Sequence, residues 1–138
     1  MTDVGYSLRP VGLVSSPLTD PDQAPRQGDE GAPQAWLVLD PGMRPAMDGL
    51  QVGADVIVLT WLDRARRDVH QVHPRGDRSR PLQGVFSTRS PDRPNPIGLH
   101  HVRIVAIDGT RISVRNLEAL DQTPILDIKP LLGRLDQR

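Results

Sequence analysis

The chain has 138 residues, a length that suits a single domain over residues 1–138. Its formal net charge is zero, so it exerts no long-range attraction on a polyanion. It contains no cysteine, which excludes disulfide bridges, thiol nucleophiles and cysteine-based zinc sites. It has neither an apolar run of roughly 20 residues nor the pattern of a signal peptide, so we predict a cytoplasmic protein that binds no membrane.

Short strands dominate the predicted secondary structure. Runs rich in Val and Ile recur between turn-forming residues, a pattern that is typical of strands. In chain order, the predicted strands are residues 11–14, 35–39, 55–61, 84–88, 101–107, 111–115 and 125–128. Seven short strands in 138 residues predict an all-β fold, a small closed or nearly closed β-barrel with long loops.

Local patterns refine this expectation. Asp108-Gly109 predicts a tight hairpin between the fifth and sixth strands. Residues 111–115 alternate strictly and predict a strand with one solvent-exposed face, whereas 56–59 is almost continuously apolar and should lie deep in the core. A short helix within 41–50 would place three apolar side chains on one face, namely Met43, Met47 and Leu50.

The chain lacks the pattern of a Rossmann-type methyltransferase. That fold requires strands alternating with long helices and a glycine-rich turn after the first strand. Neither is found, so a nucleoside cofactor would have to bind in another way. Two long stretches instead lack strand or helix character, 15–31 and 64–81. Loops this long in a small domain are usually functional or disordered.

The most unusual stretch is 84–99, in which three prolines lie within six residues. Each proline fixes its own φ and restricts the residue before it, so the segment has few conformations to lose when it binds a ligand. Gly98 then permits a close backbone approach or a positive φ. The polar side chains that the segment would present are Arg89, Arg93 and Asn95. A rigid surface turn with solvated arginines is the alternative interpretation.

Two further polar segments are candidates for a site. The first is 121–130, in which Asp127 and Lys129 lie two residues apart, so on a strand they share a face and can pair. Asp121 and Thr123 come shortly before a proline and favour a capped turn. Such pairs and turns serve structure as well as catalysis. The other segment, 25–28, is short and polar and ends in glycine.

Four segments together resemble one family, in the order in which they occur. They are 11–17, 25–28, 84–99 with its Arg-Ser-Pro-x-Arg-Pro-Asn-Pro-Ile-Gly run, and 120–130 with its Leu-Asp-Ile-Lys-Pro run. On these specific motifs the chain is identified as a member of the TsaA-like (TrmO) family over residues 9–131. The resemblance implies a β-barrel methyltransferase that uses S-adenosylmethionine and works as a homodimer. Its characterised members methylate N6 of N6-threonylcarbamoyladenosine at position 37 of a threonine tRNA, which implies tRNA as the partner.

The resemblance also implies which residues form the site. The cofactor would contact Pro25, Arg26, Gln27, Asp63, Arg64, Arg89, Leu99, Asp121, Gln122, Thr123 and Pro124. The residues assigned to substrate in the active cleft are Arg93, Asn95 and Lys129.

Two carboxylates are candidates for catalysis. The sulfonium already activates the methyl group, so transfer mainly requires that donor and acceptor are positioned in line. An exocyclic amine is a poor nucleophile because its lone pair is delocalised into the ring, and a nearby acceptor would take up the developing charge or the proton. Asp121 and Asp127 are the carboxylates within the matched motifs, although Lys129 can neutralise Asp127.

Three departures from the family pattern keep other functions open. Members commonly carry Phe-His after the buried central strand, where this chain has Leu62-Asp63, and Gln122 replaces the glycine of the usual Asp-Gly-Thr-Pro. Some members have a C-terminal domain that helps to engage tRNA, and we expect this chain to be a short form without it. Three functions therefore stay open. They are a tRNA methyltransferase, a methyltransferase that acts on another small substrate, and a non-catalytic module that binds S-adenosylmethionine.

The arginine-rich loop 64–80 has two interpretations. Its arginines are Arg64, Arg66, Arg67, Arg75, Arg78 and Arg80. They would either contact phosphates, with binding that weakens steeply with salt, or form a solvated loop of mixed charge. His70 and His73 lack a third ligand, and His100 and His101 should face opposite sides of a strand, so we predict no metal site.

Overall fold

Six antiparallel strands form a closed barrel in this computed structural model, which describes residues 4–25, 32 and 34–133. Within those residues the strands are β1 (Gly12–Ser15), β2 (Ala35–Leu39), β3 (Asp55–Trp61), β4 (Gln71–Val72), β5 (Gln83–Gly84), β6 (Ile97–Asp108), β7 (Arg111–Arg115) and β8 (Pro124–Pro130). The order around the ring is β1-β2-β7-β6-β3-β8, and β8 pairs back onto β1. β4 and β5 form a separate two-stranded ribbon. The predicted all-β barrel is confirmed, with six of the described strands in its ring.

Alternation along the strands builds the core inside the ring. On β3, Val56, Val58 and Thr60 are buried, whereas Ile57 and Leu59 are half-buried on the outer face. The expectation that 56–59 lies continuously in the core is therefore wrong, because successive strand residues point to opposite faces. The largest fully buried core side chains are Leu37, Ile104, Ile112, Leu117 and Ile125. Burial of each contributes roughly 1.5–3 kcal/mol of hydrophobic stabilisation.

The long strand β6 connects two parts of the ring. It pairs with β3 from Ile97 to Arg103 and with β7 from Arg103 to Asp108. The register shifts at a bulge between Ile104 and Ala106, which bends the strand as it passes from one partner to the other. The turn that follows contains glycine at a φ of 60°, and it confirms the predicted hairpin.

β7 departs from the prediction of one solvent-exposed face. Its end residues Arg111 and Arg115 are exposed, but Ser113 between them is buried. Nε2 of Gln34 donates to Oγ of Ser113 at 2.7 Å, and the guanidinium of Arg111 lies 4.7 Å from the ring centroid of Trp36. A polar side chain on a strand face is therefore covered by its neighbours, which alternation within one strand does not predict.

A 3-10 helix, Pro41–Met47, forms in the region of the predicted helix. Pro45 lies inside it and has no backbone N–H to donate, which disfavours a longer α-helix. Met47 is buried, and Met43 and Leu50 pack against the core, so the predicted apolar face is confirmed.

The predicted strand over residues 84–88 is wrong. Only Gln83–Gly84 is extended, as β5, and Val85–Ser87 form a 3-10 turn. The hydroxyls of Ser87 and Thr88 donate to backbone carbonyls three residues earlier, at 2.8 and 3.0 Å. Hydroxyl side chains compete in this way with the hydrogen bonds of a sheet, so the local bonds favour a turn.

The two long segments contain more structure than expected. In 64–81, Gln71–Val72 pairs with β5 and Pro74–Gly76 forms a 3-10 turn. In 15–31, Asp20 caps a 3-10 turn over Pro21–Gln23, and residues 26–31 lie outside the described part of the chain. None of the helices in the described residues has the length and apolarity needed to cross a membrane.

Gly98 lies where β6 pairs with β3 and leaves no room for a Cβ. An alanine Cβ at this position would lie 2.7 Å from Nε2 of His100 and closer still to Oγ1 of Thr60, both of which are buried. We expect Gly98→Ala to lower the free energy of unfolding by about 1–3 kcal/mol, because overpacking forces side chains or backbone to shift. Chemical denaturation followed by circular dichroism measures this change.

The matched control is Gly84→Ala, because nothing lies within 4 Å of a Cβ added at Gly84. Equal free energies of unfolding for the two variants would contradict the tight approach at Gly98.

Candidate functional site

An open cleft of about 2140 Å³ lies against the outer face of β3 and β6 and reaches the barrel end where β3 stops. Ile57 and Leu59 of β3 and Ile97 and Leu99 of β6 form its apolar floor. Ile97 and Leu99 are 44% and 46% exposed, a high exposure for large apolar side chains. The walls come from the first long loop, from the β4–β5 ribbon and from the proline-rich segment. A concave apolar surface edged with polar groups is typical of a ligand site.

Six of the residues that the family resemblance marks for the cofactor line this one cleft, although they are distant in sequence. They are Pro25, Asp63, Arg64, Arg89, Leu99 and Thr123. Arg26 and Gln27 belong to the same predicted set but lie outside the described residues. The strand pairing thus brings together most of the predicted positions that the structure describes.

The corner after β3 is tied to the first long loop. Nη1 of Arg64 donates to the carbonyl of Thr19 at 3.0 Å, and the backbone N–H of Ala65 donates to the carbonyl of Leu62 at 3.0 Å. Asp63 is exposed in this turn. These bonds bring the loop that contains Pro25 to the same side of the cleft as Asp63.

The turn before β8 is built around Asp121. Its Oδ1 accepts a hydrogen bond of 2.9 Å from the backbone N–H of Ser16, so it binds the end of β1 rather than capping its own turn. Gln122 has a φ of 69°, in the left-handed region that favours glycine. Thr123 is buried and lines the cleft, whereas Asp121, Gln122 and Pro124 lie next to it outside the lining.

Asp127 and Lys129 form an ion pair on the outer face of β8. Oδ2 of Asp127 and Nζ of Lys129 are 3.1 Å apart, which confirms the predicted pairing. They lie opposite Leu59 and Ile57 of β3, one strand away from the apolar floor, and do not line the cleft. The carboxylate of Asp127 therefore pairs with the ammonium group of Lys129 on an exposed surface.

Arg93 holds the 3-10 turn that follows β5. Its Nη2 donates to the carbonyls of Val85 and Thr88, the latter at 2.9 Å. Its Nε is buried and has no partner among the described residues. Arg93 also lines the cleft, so its side chain joins this turn to the cleft wall.

Arg67 fastens the arginine-rich loop to the proline-rich segment. Its Nε donates to the carbonyl of Pro94 at 2.7 Å, and its Nη2 donates to Oδ1 of Asn95 at 2.8 Å. Its guanidinium carbon lies 5.2 Å from the ring centroid of Trp61. Asn95, which was assigned to substrate, is thus engaged in holding the loop.

The arginines around the cleft differ in whether they have partners. Arg66 pairs with Asp68 at 3.0 Å, and its hydrogen bond lowers the pKa of the Asp68 carboxyl below the ordinary value. The hydrogen bond from Arg103 likewise lowers the pKa of Asp55, which lines the cleft. Four cleft-lining guanidinium groups make no hydrogen bond or ion pair with any described residue, those of Arg78, Arg80, Arg89 and Arg115.

A buried polar network lies where the cleft reaches the barrel end. Oγ1 of Thr60 is 2.7 Å from Nε2 of His100, and Nδ1 of His100 is 2.6 Å from Oε1 of Glu118. Thr60 is fully buried, and the side chains of His100 and Glu118 are 4% and 18% exposed. From the sequence, His100 was weighed only as a metal ligand, and this network was missed. The feature of the sequence that could have revealed the network is strand alternation, which places Thr60 and His100 on buried faces.

His100 and His101 face opposite sides of β6, as predicted from the sequence. His101 is exposed, and its Nε2 lies 3.7 Å from Oδ2 of Asp55. Within the part of the chain that the structure describes, no three His, Asp or Glu side chains converge in the way that a metal ion would require.

The sequence matches known proteins along most of its length. The family described as the tRNA-methyltransferase O N-terminal domain matches residues 13–137. A probable S-adenosyl-L-methionine-binding protein of Methanothermobacter thermautotrophicus is 42% identical over 136 residues, which cover 99% of this chain and 97% of that protein. The S-adenosyl-L-methionine-binding protein of Archaeoglobus fulgidus is 39% identical over 129 residues, 94% of this chain and 91% of that protein.

Solved structures share the fold. TrmO from Pseudomonas aeruginosa has a TM-score of 0.76 at 29% identity, with 98% of this chain and 60% of the solved chain covered. A second TrmO crystal structure has a TM-score of 0.80 at 30% identity, with coverages of 98% and 61%. The chain therefore spans about three-fifths of these solved proteins. Since the family match extends over nearly the whole chain, the protein belongs to the family of the tRNA-methyltransferase O N-terminal domain.

Proposed function

We propose that the protein is a methyltransferase that uses S-adenosylmethionine, and that this cofactor binds in the cleft on β3 and β6. The observation that carries the proposal is the meeting of the six marked residues in that cleft. The names of the relatives support S-adenosylmethionine as the ligand, and the family description supports methyl transfer. Asp121, Gln122 and Pro124 would act indirectly in this site, by shaping the turn that presents Thr123.

The chemistry of the cleft suits this cofactor. Leu59 and Leu99 offer an apolar surface to the adenine ring or to the carbon chain of the methionine part. Arg89 has no described partner, and a planar guanidinium binds a carboxylate such as that of the cofactor through two parallel hydrogen bonds. The cofactor supplies an activated methyl group, so the residues of the chain mainly have to hold the acceptor in line with it.

The proposed acceptor is N6 of N6-threonylcarbamoyladenosine at position 37 of a threonine tRNA, modified in the cytoplasm. The family description supports a tRNA, and the unpaired guanidinium of Arg78 at the cleft supports contact with phosphate. A smaller acceptor is the second candidate. It is favoured by Arg66 and Arg67, whose guanidinium groups bind neighbouring residues and so are less available to phosphates.

A homodimer is the proposed assembly, with part of the outer apolar surface in the interface. Leu13, on the outer face of β1 and outside the cleft lining, is 41% exposed and is available for a contact between chains. Sedimentation equilibrium should give twice the mass of the chain for the wild-type protein. Leu13→Arg should shift the protein toward monomer, whereas Val52→Arg, at an exposed apolar residue in a turn, should not. A monomeric wild-type protein would contradict the dimer.

Calorimetric titration with S-adenosylmethionine tests the cofactor site. We expect saturable binding by the wild-type protein and an affinity that is at least about tenfold lower for Arg89→Ala, because a hydrogen bond to a charged group is lost. The melting temperature should stay the same, since Arg89 is exposed and binds no described residue. Arg44→Ala, at an exposed arginine outside the cleft, is the matched control. If Arg89→Ala binds as tightly as the wild type, the cofactor is not held there.

Methyl transfer from radiolabelled S-adenosylmethionine to tRNA tests the acceptor. We expect labelling of tRNA that carries threonylcarbamoyladenosine and none of the same tRNA without that modification. Affinity for the tRNA should fall steeply with salt, because phosphate contacts release counterions. Labelling of small amines alone would favour the second candidate. Tight cofactor binding without transfer to either would indicate a non-catalytic module.

A further inference from the structure

The proposed methyl transfer needs a group that accepts the proton of the methylated amine. The two carboxylates identified from the sequence are engaged elsewhere, since Asp121 binds the backbone N–H of Ser16 and Asp127 pairs with Lys129 outside the cleft lining. We infer that Glu118 is the catalytic base and that His100 and Thr60 are its positioning residues. This inference rests on the proposed function, because it assigns a role within that reaction.

Glu118 occupies the point where the cleft meets the barrel interior. It lies between the buried residues Leu117 and Ala119, and it lines the same cleft as Leu99 and Thr123. Oε1 accepts a hydrogen bond from Nδ1 of His100, and no Arg or Lys of the described residues pairs with the carboxylate. A largely buried carboxylate with one N–H partner is poorly satisfied, so it favours a bound molecule that brings a second donor.

The other carboxylates of the cleft are less suited to this task. Asp55 is bound by Nε of Arg103 at 3.0 Å, and Oδ1 of Asp92 accepts from the backbone N–H of Arg66 at 2.8 Å. Asp22 and Asp63 are exposed, so water competes for their oxygens. Glu118 combines a protected position with an orientation fixed by a second side chain.

The order hydroxyl, imidazole, carboxylate also occurs in serine-type hydrolases, where the hydroxyl is the nucleophile. The geometry excludes that use here. Thr60 is fully buried, and a single carbon added at Gly98 would collide with its hydroxyl and with His100. No substrate carbonyl can reach Thr60, so the accessible end of the network is Glu118.

The network fixes the orientation of the base. If Nδ1 of His100 donates its proton to Glu118, Nε2 is the acceptor for the hydroxyl proton of Thr60, so the neutral imidazole satisfies both bonds. The carboxylate is thereby held in one rotamer with its other oxygen available to a ligand. His100 and Thr60 act through Glu118 and do not touch the reacting atoms.

In the proposed step, the amine nitrogen of the acceptor bonds to the methyl carbon while the carbon–sulfur bond breaks. The electron pair of that bond stays on sulfur, which becomes a neutral thioether. The N–H bond breaks, and its proton passes to the carboxylate of Glu118, which becomes a neutral carboxylic acid. The positive charge that begins on sulfur therefore ends as the proton on Glu118, which is later lost to water.

Glu118→Gln tests the base in the full chain, because it keeps the size of the side chain and removes its basicity. We expect the affinity for S-adenosylmethionine to stay within about twofold, and the rate of methyl transfer to tRNA carrying threonylcarbamoyladenosine to fall about 100-fold. Glu118→Asp retains a shorter base and should keep part of the rate.

Variants of His100 test the positioning role. His100→Asn keeps an N–H near the place of Nδ1 and should retain more activity than His100→Leu, which removes the donor and should lower the rate about tenfold. Asp48→Asn, at an exposed carboxylate outside the cleft, should transfer methyl groups at the wild-type rate.

The outcomes separate this inference from the proposed function. An active wild-type protein with an equally active Glu118→Gln overturns the inference and leaves the function standing. A tenfold loss of affinity for S-adenosylmethionine in Glu118→Gln also overturns it, because Glu118 would then be a ligand of the cofactor. A wild-type protein that binds S-adenosylmethionine and transfers no methyl group overturns the proposed reaction and the inference together.

Discussion

The antiparallel pairing of β3 with β6 is the constraint on which both faces of the site depend. It runs without a break along all seven residues of β3. In this register Leu59 lies opposite Leu99 on the outer face, and Thr60 lies opposite Gly98 on the inner face, beside His100. A shift of one residue would exchange the two faces and would remove the cleft floor and the buried network together.

Above this sheet, arginine side chains act as structural ties. Arg67 binds a carbonyl and an amide oxygen at once while it stacks on Trp61, and Arg93 binds two carbonyls of one turn. Only a planar group with several fixed N–H donors makes such contacts, so lysine is a poor substitute. Of the seventeen Lys and Arg residues, sixteen are arginines, and at these two positions that choice has a structural reason.

The sequence predicts the strands better than the contacts between them. Residues 35–39, 55–61 and 111–115 are predicted with the boundaries that the structure has, because alternation and turn residues are local signals. The turn at Val85–Ser87 was missed because its hydroxyl bonds compete with an extended chain. The cleft positions were predicted through resemblance, since no local signal joins segments this far apart. The network of Thr60, His100 and Glu118 depends on the pairing register and on partners 40 and 18 positions apart, which spacing alone does not reveal.

Closure of the ring by β1 and β8 has a consequence for synthesis of the protein. Ser16 at the end of β1 is bonded to Asp121, 105 positions later, and β1 pairs with β8 through Gly12 and Ile125. Pairings this distant form late, because the loop must close before the contact stabilises it. On the ribosome, a nascent chain can pair β1 with β2 but cannot complete the barrel until β8 has emerged. Premature termination before β8 would therefore leave Thr123 and the whole cleft without a scaffold.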